Sequence, residues 1–172
     1  GRKRTGRKEK GYGGRKRMIE VVPMTNADID GVLKVEEECF AIAWTRADFE
    51  REMNENKLAV YFVAKDGEKI IGYAGMWHVV TEGQITNVAV SEEYRNRHIG
   101  SMLIEALIKV AEEREMIGIT LEVKISNYPA QKLYSNYGFK PEGFRKNYYK
   151  DTNEDAIVMW KYFENYENYE EN

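Results

Sequence analysis

With 172 residues, 42% of them hydrophobic and 32% charged, the chain is sized for one globular domain with a sizeable core and argues against a second domain. Its single cysteine, Cys39, excludes an intramolecular disulfide, and two histidines beside that thiol give no metal-ligand spacing, so a reducing, cytoplasmic setting without metal is expected. No apolar run approaches the roughly 20 residues that span a bilayer and no signal pattern opens the chain, so no membrane partner is expected.

The net charge of -3 conceals an asymmetry. Residues 1–17 hold nine Lys/Arg against Glu9 alone, and subtracting this +8 from the overall -3 leaves -11 on residues 18–172. A segment so basic and so poor in apolar side chains does not bury enough surface to offset its ordering entropy, so it reads as a flexible arm. Three readings stay open for it: an extension ahead of a natural start at Met18, a tail that contacts the ribosome or RNA, or a segment that docks on the acidic body as a substrate mimic. Residues 163–172, acidic and repeating Asn-Tyr-Glu, read as a solvated tail.

In the body, a short strand over Ile19–Val22 ends at Pro23, and Thr25-Asn26-Ala27-Asp28 has the Ser/Thr-x-x-acid spacing of a helix start. The helix Ala27–Cys39 turns Ile29, Val32/Leu33 and Val35 inward. An apolar loop, Phe40–Trp44, follows, and Thr45-Arg46-Ala47-Asp48 repeats the capping pattern before Phe49–Asn54. Trp44 is packed core or the wall of a pocket. Strands over Ala59–Lys65 and Ile70–His78 flank the turn Asp66-Gly67-Glu68, and a third runs from Gly83 to Val90.

The stretch Tyr94–Gly100 is a basic turn, and after it Ile99, Leu103, Ala106/Leu107 and Val110 mark one buried helical face. A helix start has backbone N–H groups without internal partners and a partial positive charge, which suits an anion. The strand Ile119–Ile125 then implies parallel, right-handed pairing with Gln84–Val90, making the sheet mixed. Within it Thr120, Glu122 and Lys124 share one face, and Glu122 either meets solvent or lines a cleft. Asn127 is a plausible N-cap with Pro129 in the first turn of a helix over Ala130–Tyr137, and Gly138 suits the left-handed position that ends it. Runs over Phe139–Tyr149 and Ala156–Tyr162 complete an α/β (α+β) domain with a mixed sheet of about seven strands and helices on both faces.

The order β-α-α-β-β-β-α-β-α-β-β with a basic turn before the third helix resembles the Gcn5-related N-acetyltransferase (GNAT) family. In its signature, Arg/Gln-x-x-Gly-x-Gly/Ala, Arg95 and Gly100 fit and His98 stands where the family has its first glycine. Asn87-Val88-Ala89-Val90, Leu121-Glu122-Val123-Lys124-Ile125-Ser126-Asn127, Leu133 to Phe139 and Arg145-Lys146-Asn147-Tyr148-Tyr149, with Ala43-Trp44-Thr45, are similar to the RimI-like, ribosomal-protein-alanine branch. The resemblance covers residues 18–162. It implies an N-acetyltransferase domain whose fourth and fifth strands splay around acetyl-CoA, with a basic protein N-terminus, that of a ribosomal protein beginning with Ala, as acceptor.

The resemblance also implies roles. Arg95, Asn96, Arg97, His98, Ile99, Gly100 and Ser101 would surround the pyrophosphate, Val88, Ala89 and Val90 would pair with the pantetheine and offer an N–H to the developing oxyanion, and Asn127 would contact the CoA. An α-amine has a pKa near 8 and attacks only as the free base. Glu122 is then the implied base, through water, and Tyr134 the acid that protonates the departing thiolate. Trp44, Tyr148 and Tyr149 would face the peptide, although Tyr134, Tyr148 and Tyr149 also suit plain packing. Two other readings compete: an acetyltransferase for a small amine such as a polyamine or aminoglycoside, and a non-enzymatic ribosome- or RNA-binding module that uses the basic arm.

Overall fold

The computed structural model describes residues 19–164; the basic arm expected over residues 1–17 and nearly all of the acidic tail lie outside them. Strand β1 is Ile19–Pro23, and the Thr25/Asp28 capping box closes as its spacing predicts, with Thr25 N–H donating to Asp28 Oδ2 at 2.8 Å. A single turn of 3₁₀ helix at Asn26–Asp28 leads into α1, Ile29–Cys39. Helix α2, Arg46–Asn54, starts one residue after its own cap, Thr45, whose hydroxyl accepts from Asp48 N–H while Asp48 Oδ2 accepts from Thr45 N–H at 2.8 Å.

Strands β2 (Ala59–Asp66), β3 (Lys69–Val79) and β4 (Glu82–Val90) form the antiparallel meander. Helix α3, Ile99–Glu113, then crosses to β5, Gly118–Lys124. Helix α4, Tyr128–Asn136, is capped by Asn127, whose Oδ1 accepts from Ala130 N–H at 3.2 Å, and ends before Gly138 at φ +88°. The final strands are β6, Lys140–Tyr149, and β7, Glu154–Tyr162.

All these strands form one sheet in the order β1-β2-β3-β4-β5-β7-β6, in which only β4 and β5 run parallel. Helices cover both faces. On one, α1 and α2 bury Ile29, Val32, Val35 and Phe49 against Tyr61, Val63, Tyr73 and Ala89. On the other, Ile99, Leu103, Ile104 and Leu107 of α3 and Tyr134 of α4 pack on Met76, Ile85, Ile119 and Leu121.

A bulge in β4 governs what reaches each face. Met76 of β3 opposes Ile85 and Gly75 opposes Asn87, so Thr86 is the extra residue. Simple alternation puts Ile85, Asn87 and Ala89 on one face. Instead Ile85 stays in the α3-side core while Ala89 lies in the α1-side core. A bulge of this kind bends its strand, and this one lies two residues beyond the last pair with β5.

The Thr45 cap fixes the direction in which the Phe40–Trp44 loop joins α2, and losing a cap of this kind costs about 1 kcal/mol. Thr45→Ala is therefore expected to lower the unfolding free energy by about 1 kcal/mol in urea titration, with an unchanged denaturant slope.

Candidate active site

Parallel pairing between β4 and β5 is confined to Glu82–Gln84 against Gly118–Thr120. Spacing alone suggests pairing through Val90 and Ile125; the two strands instead diverge and leave a cleft of about 510 Å³. The open edge of β4 is set by alternation. Ser91 N–H donates to Ile71 O at 2.8 Å, so Ala89 also directs its peptide groups toward β3, and Val88 and Val90 direct theirs into the opening. The Val90 carbonyl is already occupied, accepting from Arg95 Nε at 3.2 Å and from Cys39 Sγ at 3.4 Å. Burial raises the Cys39 thiol above its ordinary pKa against the pull of Arg95, which keeps it a thiol rather than a thiolate.

Beyond Val90 the chain turns through Glu92–Tyr94 into the start of α3. The first intrahelical bond there is Met102 N–H to His98 O at 3.1 Å, so the amides of Ile99, Gly100 and Ser101 precede the helical ladder. His98 caps the helix in the left-handed conformation, φ +61° and ψ +18°, and Asn96 also has positive φ. This is the backbone form that makes glycine the least strained choice, and histidine takes it at a cost. The Ile99 side chain is in the core, so only its backbone is available to a ligand. Gly100 matters through space: a Cβ there would lie 3.2 Å from Leu133 Cδ2 of α4. Arg97 lies over the Tyr94 ring at 5.2 Å.

The walls of the cleft bring together Trp44, Val88, Glu122, Asn127, Tyr134, Tyr148 and Tyr149, seven of the residues singled out in the sequence. Glu122 is on the β5 face opposite Leu121 and Val123, and its Oε1 accepts from Arg145 Nε at 3.1 Å. Tyr134, 8% exposed, stacks edge-on with Phe139 at 5.8 Å. Burial pushes its phenol up to about 12, so it holds its proton throughout the neutral range. Tyr148 and Tyr149 meet edge-to-face at 5.2 Å, with the Arg145 guanidinium 5.9 Å from the Tyr148 ring and Lys124 Nζ 5.2 Å from the Tyr149 ring. Lys124 also pairs with Asp151 at 3.1 Å.

Two further residues of the cleft, Glu36 and Asn87, and a partner of its lining, Arg145, emerge only from the fold. Glu36 of α1 is 2% exposed, accepts from Trp44 N–H at 3.1 Å and takes a hydrogen bond from the Tyr73 hydroxyl. Burial pushes its carboxyl above the ordinary value in spite of both donors. Asn87 of β4 lies beside the Tyr73 hydroxyl and helps set its pKa, and its Oδ1 is buried without a partner. Arg145 of β6 completes the Glu122 pair. Glu36 was within reach of the helical pattern, seven residues after Ile29 and four after Val32, but its place in the run Glu36-Glu37-Glu38 reads as a solvated face. Among the described residues, no cluster of three or more His, Cys, Asp or Glu is placed to hold a metal ion.

An open strand edge, a helix start whose first amides lie outside the ladder, and a cleft that holds a carboxylate and a protonated phenol are groups that suit acyl transfer from an extended, phosphate-bearing carrier. A model of the Acetyltransferase (GNAT) family matches residues 29–139, and the chain belongs to that family. It is 41% identical over 133 residues to a Bacillus subtilis protein provisionally named ribosomal protein bS18 alanine N-acetyltransferase, covering 77% of this chain and 88% of that one. It is 31% identical over 138 residues to the Salmonella typhimurium ribosomal protein bS18 alanine N-acetyltransferase, covering 79% and 92%. Its fold matches the crystal structure of the Escherichia coli ribosomal-protein-S18-alanine N-acetyltransferase with a TM-score of 0.76 and 30% identity, over 83% and 92% of the two chains.

The left-handed His98 backbone gives a direct check on this turn. A β-branched residue is strained there by about 1–2 kcal/mol, so His98→Val is expected to lower the unfolding free energy by that amount, whereas His98→Gly stays within about 1 kcal/mol of the parent. Paired urea titrations of the two variants read the difference.

Proposed function

We propose that this chain transfers an acetyl group from acetyl-CoA to the α-amine of a protein beginning with alanine, a ribosomal protein of the bS18 kind. The observation that carries the reading is the divergence of β4 from β5, which opens a cleft lined by Val88, Glu122 and Tyr134. The names of the relatives supply the acceptor: the Bacillus and Salmonella proteins are named for alanine of bS18. The smaller-amine reading and the purely binding reading have no comparable support.

The residues present fit acetyl-CoA. The Val88 carbonyl and the Val90 N–H are free to pair with an extended pantetheine, and the amides of Ile99, Gly100 and Ser101, outside the helical ladder at the start of α3, suit an anionic pyrophosphate. Gly100 keeps α4 close, and Asn127, with Oδ1 committed to its cap, retains its amide N–H groups for the CoA. When bound, acetyl-CoA supplies an acetyl group activated as a thioester.

The chain's own groups move the protons. Glu122, held at the edge of the opening by Arg145, takes the proton from the acceptor ammonium, directly or through one water. Tyr134, protonated through the neutral range, delivers its proton to the leaving sulfur as the C–S bond breaks, and the proton lost by the acylated nitrogen restores the phenol. The Val88 N–H, fixed by the sheet, stabilises charge on the carbonyl oxygen without reorganising. Trp44 and Tyr148 flank the mouth where the peptide enters. The excess negative charge of residues 18–172 favours the approach of a Lys/Arg-rich protein end, which is a rate effect that salt weakens.

The test is acetylation of short peptides differing in their first residue, read by mass spectrometry and by thiol release. A peptide starting with Ala is expected to gain one acetyl group at its N-terminus, and Glu122→Gln is expected to lower kcat/KM about 10²-fold or more. Tyr134→Phe should lower kcat at all pH values. Because the Tyr134 phenol titrates near 12, the parent enzyme should show no alkaline loss of kcat from this group below about pH 10. A fall with a midpoint near 8 that vanishes in Tyr134→Phe would contradict the assignment.

A further inference from the structure

The unpaired carbonyl of Asn87 is a buried acceptor that no proton donor of the described chain reaches. Its orientation follows from chemistry two residues away. A carboxylate only accepts hydrogen bonds, so Glu36 takes one from Trp44 N–H on Oε1 and one from the Tyr73 hydroxyl on Oε2. With its proton spent on Glu36, the Tyr73 oxygen is left solely as an acceptor. The Asn87 group that meets Tyr73 is therefore its Nδ2–H, and Oδ1 is turned to the other side. Glu36 and Asn87 both line the cleft.

The cleft places this acceptor across from Glu122. The last parallel pair is Gln84 with Thr120; beyond it the strands part, and Thr86 and Glu122, each two residues further on, line the two sides of the opening. The bulge at Thr86 then carries Asn87 to the α1 face, the face that Glu122 also takes, since Leu121 and Val123 pack on the α3 side. Val88 and Val90, the residues with open peptide groups, pack their side chains toward α3. A group lying between Asn87 and Glu122 meets an acceptor on either side, which is the complement of an amine.

We infer that Asn87 binds the acceptor amine: Oδ1 accepts an N–H of the substrate's α-amine while Glu122 takes the proton, and Glu36, acting through Tyr73, is the positioning residue that keeps the carbonyl end of Asn87 toward the substrate. The inference rests on the N-terminal acetyltransferase reading above. An ammonium has three N–H groups; after one proton passes to Glu122, an N–H still holds the Asn87 carbonyl and the lone pair is free to attack. A neutral carboxamide suits this place because it orients the amine without holding it in the charged, unreactive form, as a second carboxylate would.

Steady-state kinetics with a peptide beginning with Ala, varying peptide and acetyl-CoA separately, tests this. Asn87→Leu is expected to raise the peptide KM about tenfold or more and leave the acetyl-CoA KM within about threefold. Asn87→Ser, a smaller change in packing, should show the same split. Glu36→Gln lets Tyr73 donate to Asn87 instead, and so should also raise the peptide KM; in the Asn87→Leu background it should add little, because both changes remove one interaction. An unchanged peptide KM in both Asn87 variants overturns the assignment. So does an acetyl-CoA KM that rises in step with the peptide KM, which would give Oδ1 to an amide N–H of the pantetheine, or a Glu36→Gln effect that adds in full. If the parent chain acetylates no peptide, the functional reading itself fails and this assignment with it; a parent that turns over while its Asn87 variants match it sinks the assignment alone.

Discussion

Three residues of parallel pairing are what the site depends on. Between Gly83 and Ile119 the strands β4 and β5 are hydrogen-bonded neighbours, and beyond Gln84 and Thr120 they part. Had the ladder continued, the peptide groups of Val88 and Val90 would be satisfied by β5, and neither would be available to another extended chain. The sheet survives the gap because each strand has a second partner. β4 is paired to β3 through Val90, and β5 is paired to β7 along its whole length, from Gly118 with Tyr162 to Lys124 with Ala156. The cleft is thus a place where backbone groups are left unmatched in a fold rigid enough to hold them so.

Helix α3 is the other half of that arrangement. Its buried stripe, Ile99, Leu103, Ile104 and Leu107, clamps it to the sheet, and the same stripe fixes where its first turn points. Side chains in the core therefore fix the position of backbone amides that the helix itself leaves unpaired. This division explains why Ile99 and Gly100 matter in different ways. One anchors the helix start, and the other lets α4 come close enough for Tyr134 to reach the cleft.

Much of this was legible in the chain. Both capping boxes, the hairpin turns, the buried stripe of α3, the Asn127 cap and the left-handed Gly138 follow from local rules, and all stand in the structure. The pairing of β4 with β5 was legible in direction but not in extent, since nothing in the run Gln84–Val90 marks where a ladder stops. Asn87 was hidden for a related reason. Alternation groups it with Ile85, a core residue, and only the bulge at Thr86 separates the two. A bulge depends on what the neighbouring strand does, and neither strand announces it alone. Arg145 lay in plain view within a recognisable string, yet its link to Glu122 spans 23 positions and needs β7 between the two strands.

The ion pair of Arg145 with Glu122 shows how the site divides stability from chemistry. Arg145 is more than half exposed and Glu122 is a quarter exposed, so the pair adds little to folding, at most about 1 kcal/mol. Its consequence is positional: pairing with Val158 of β7 fixes the backbone of Glu122 but not its side chain, and the guanidinium on β6 holds the carboxylate at the opening. The same guanidinium lies near the Tyr148 ring, so Tyr148 and Glu122 share one anchor. Glu36 stands in contrast. Buried, it raises its own pKa and orders Trp44 and Tyr73 around it, which costs stability as it ionises with rising pH and fixes the opposite wall. One wall is held by an exposed pair that the solvent weakens and the other by a buried carboxylate, so the opening has an anchored acceptor on each side.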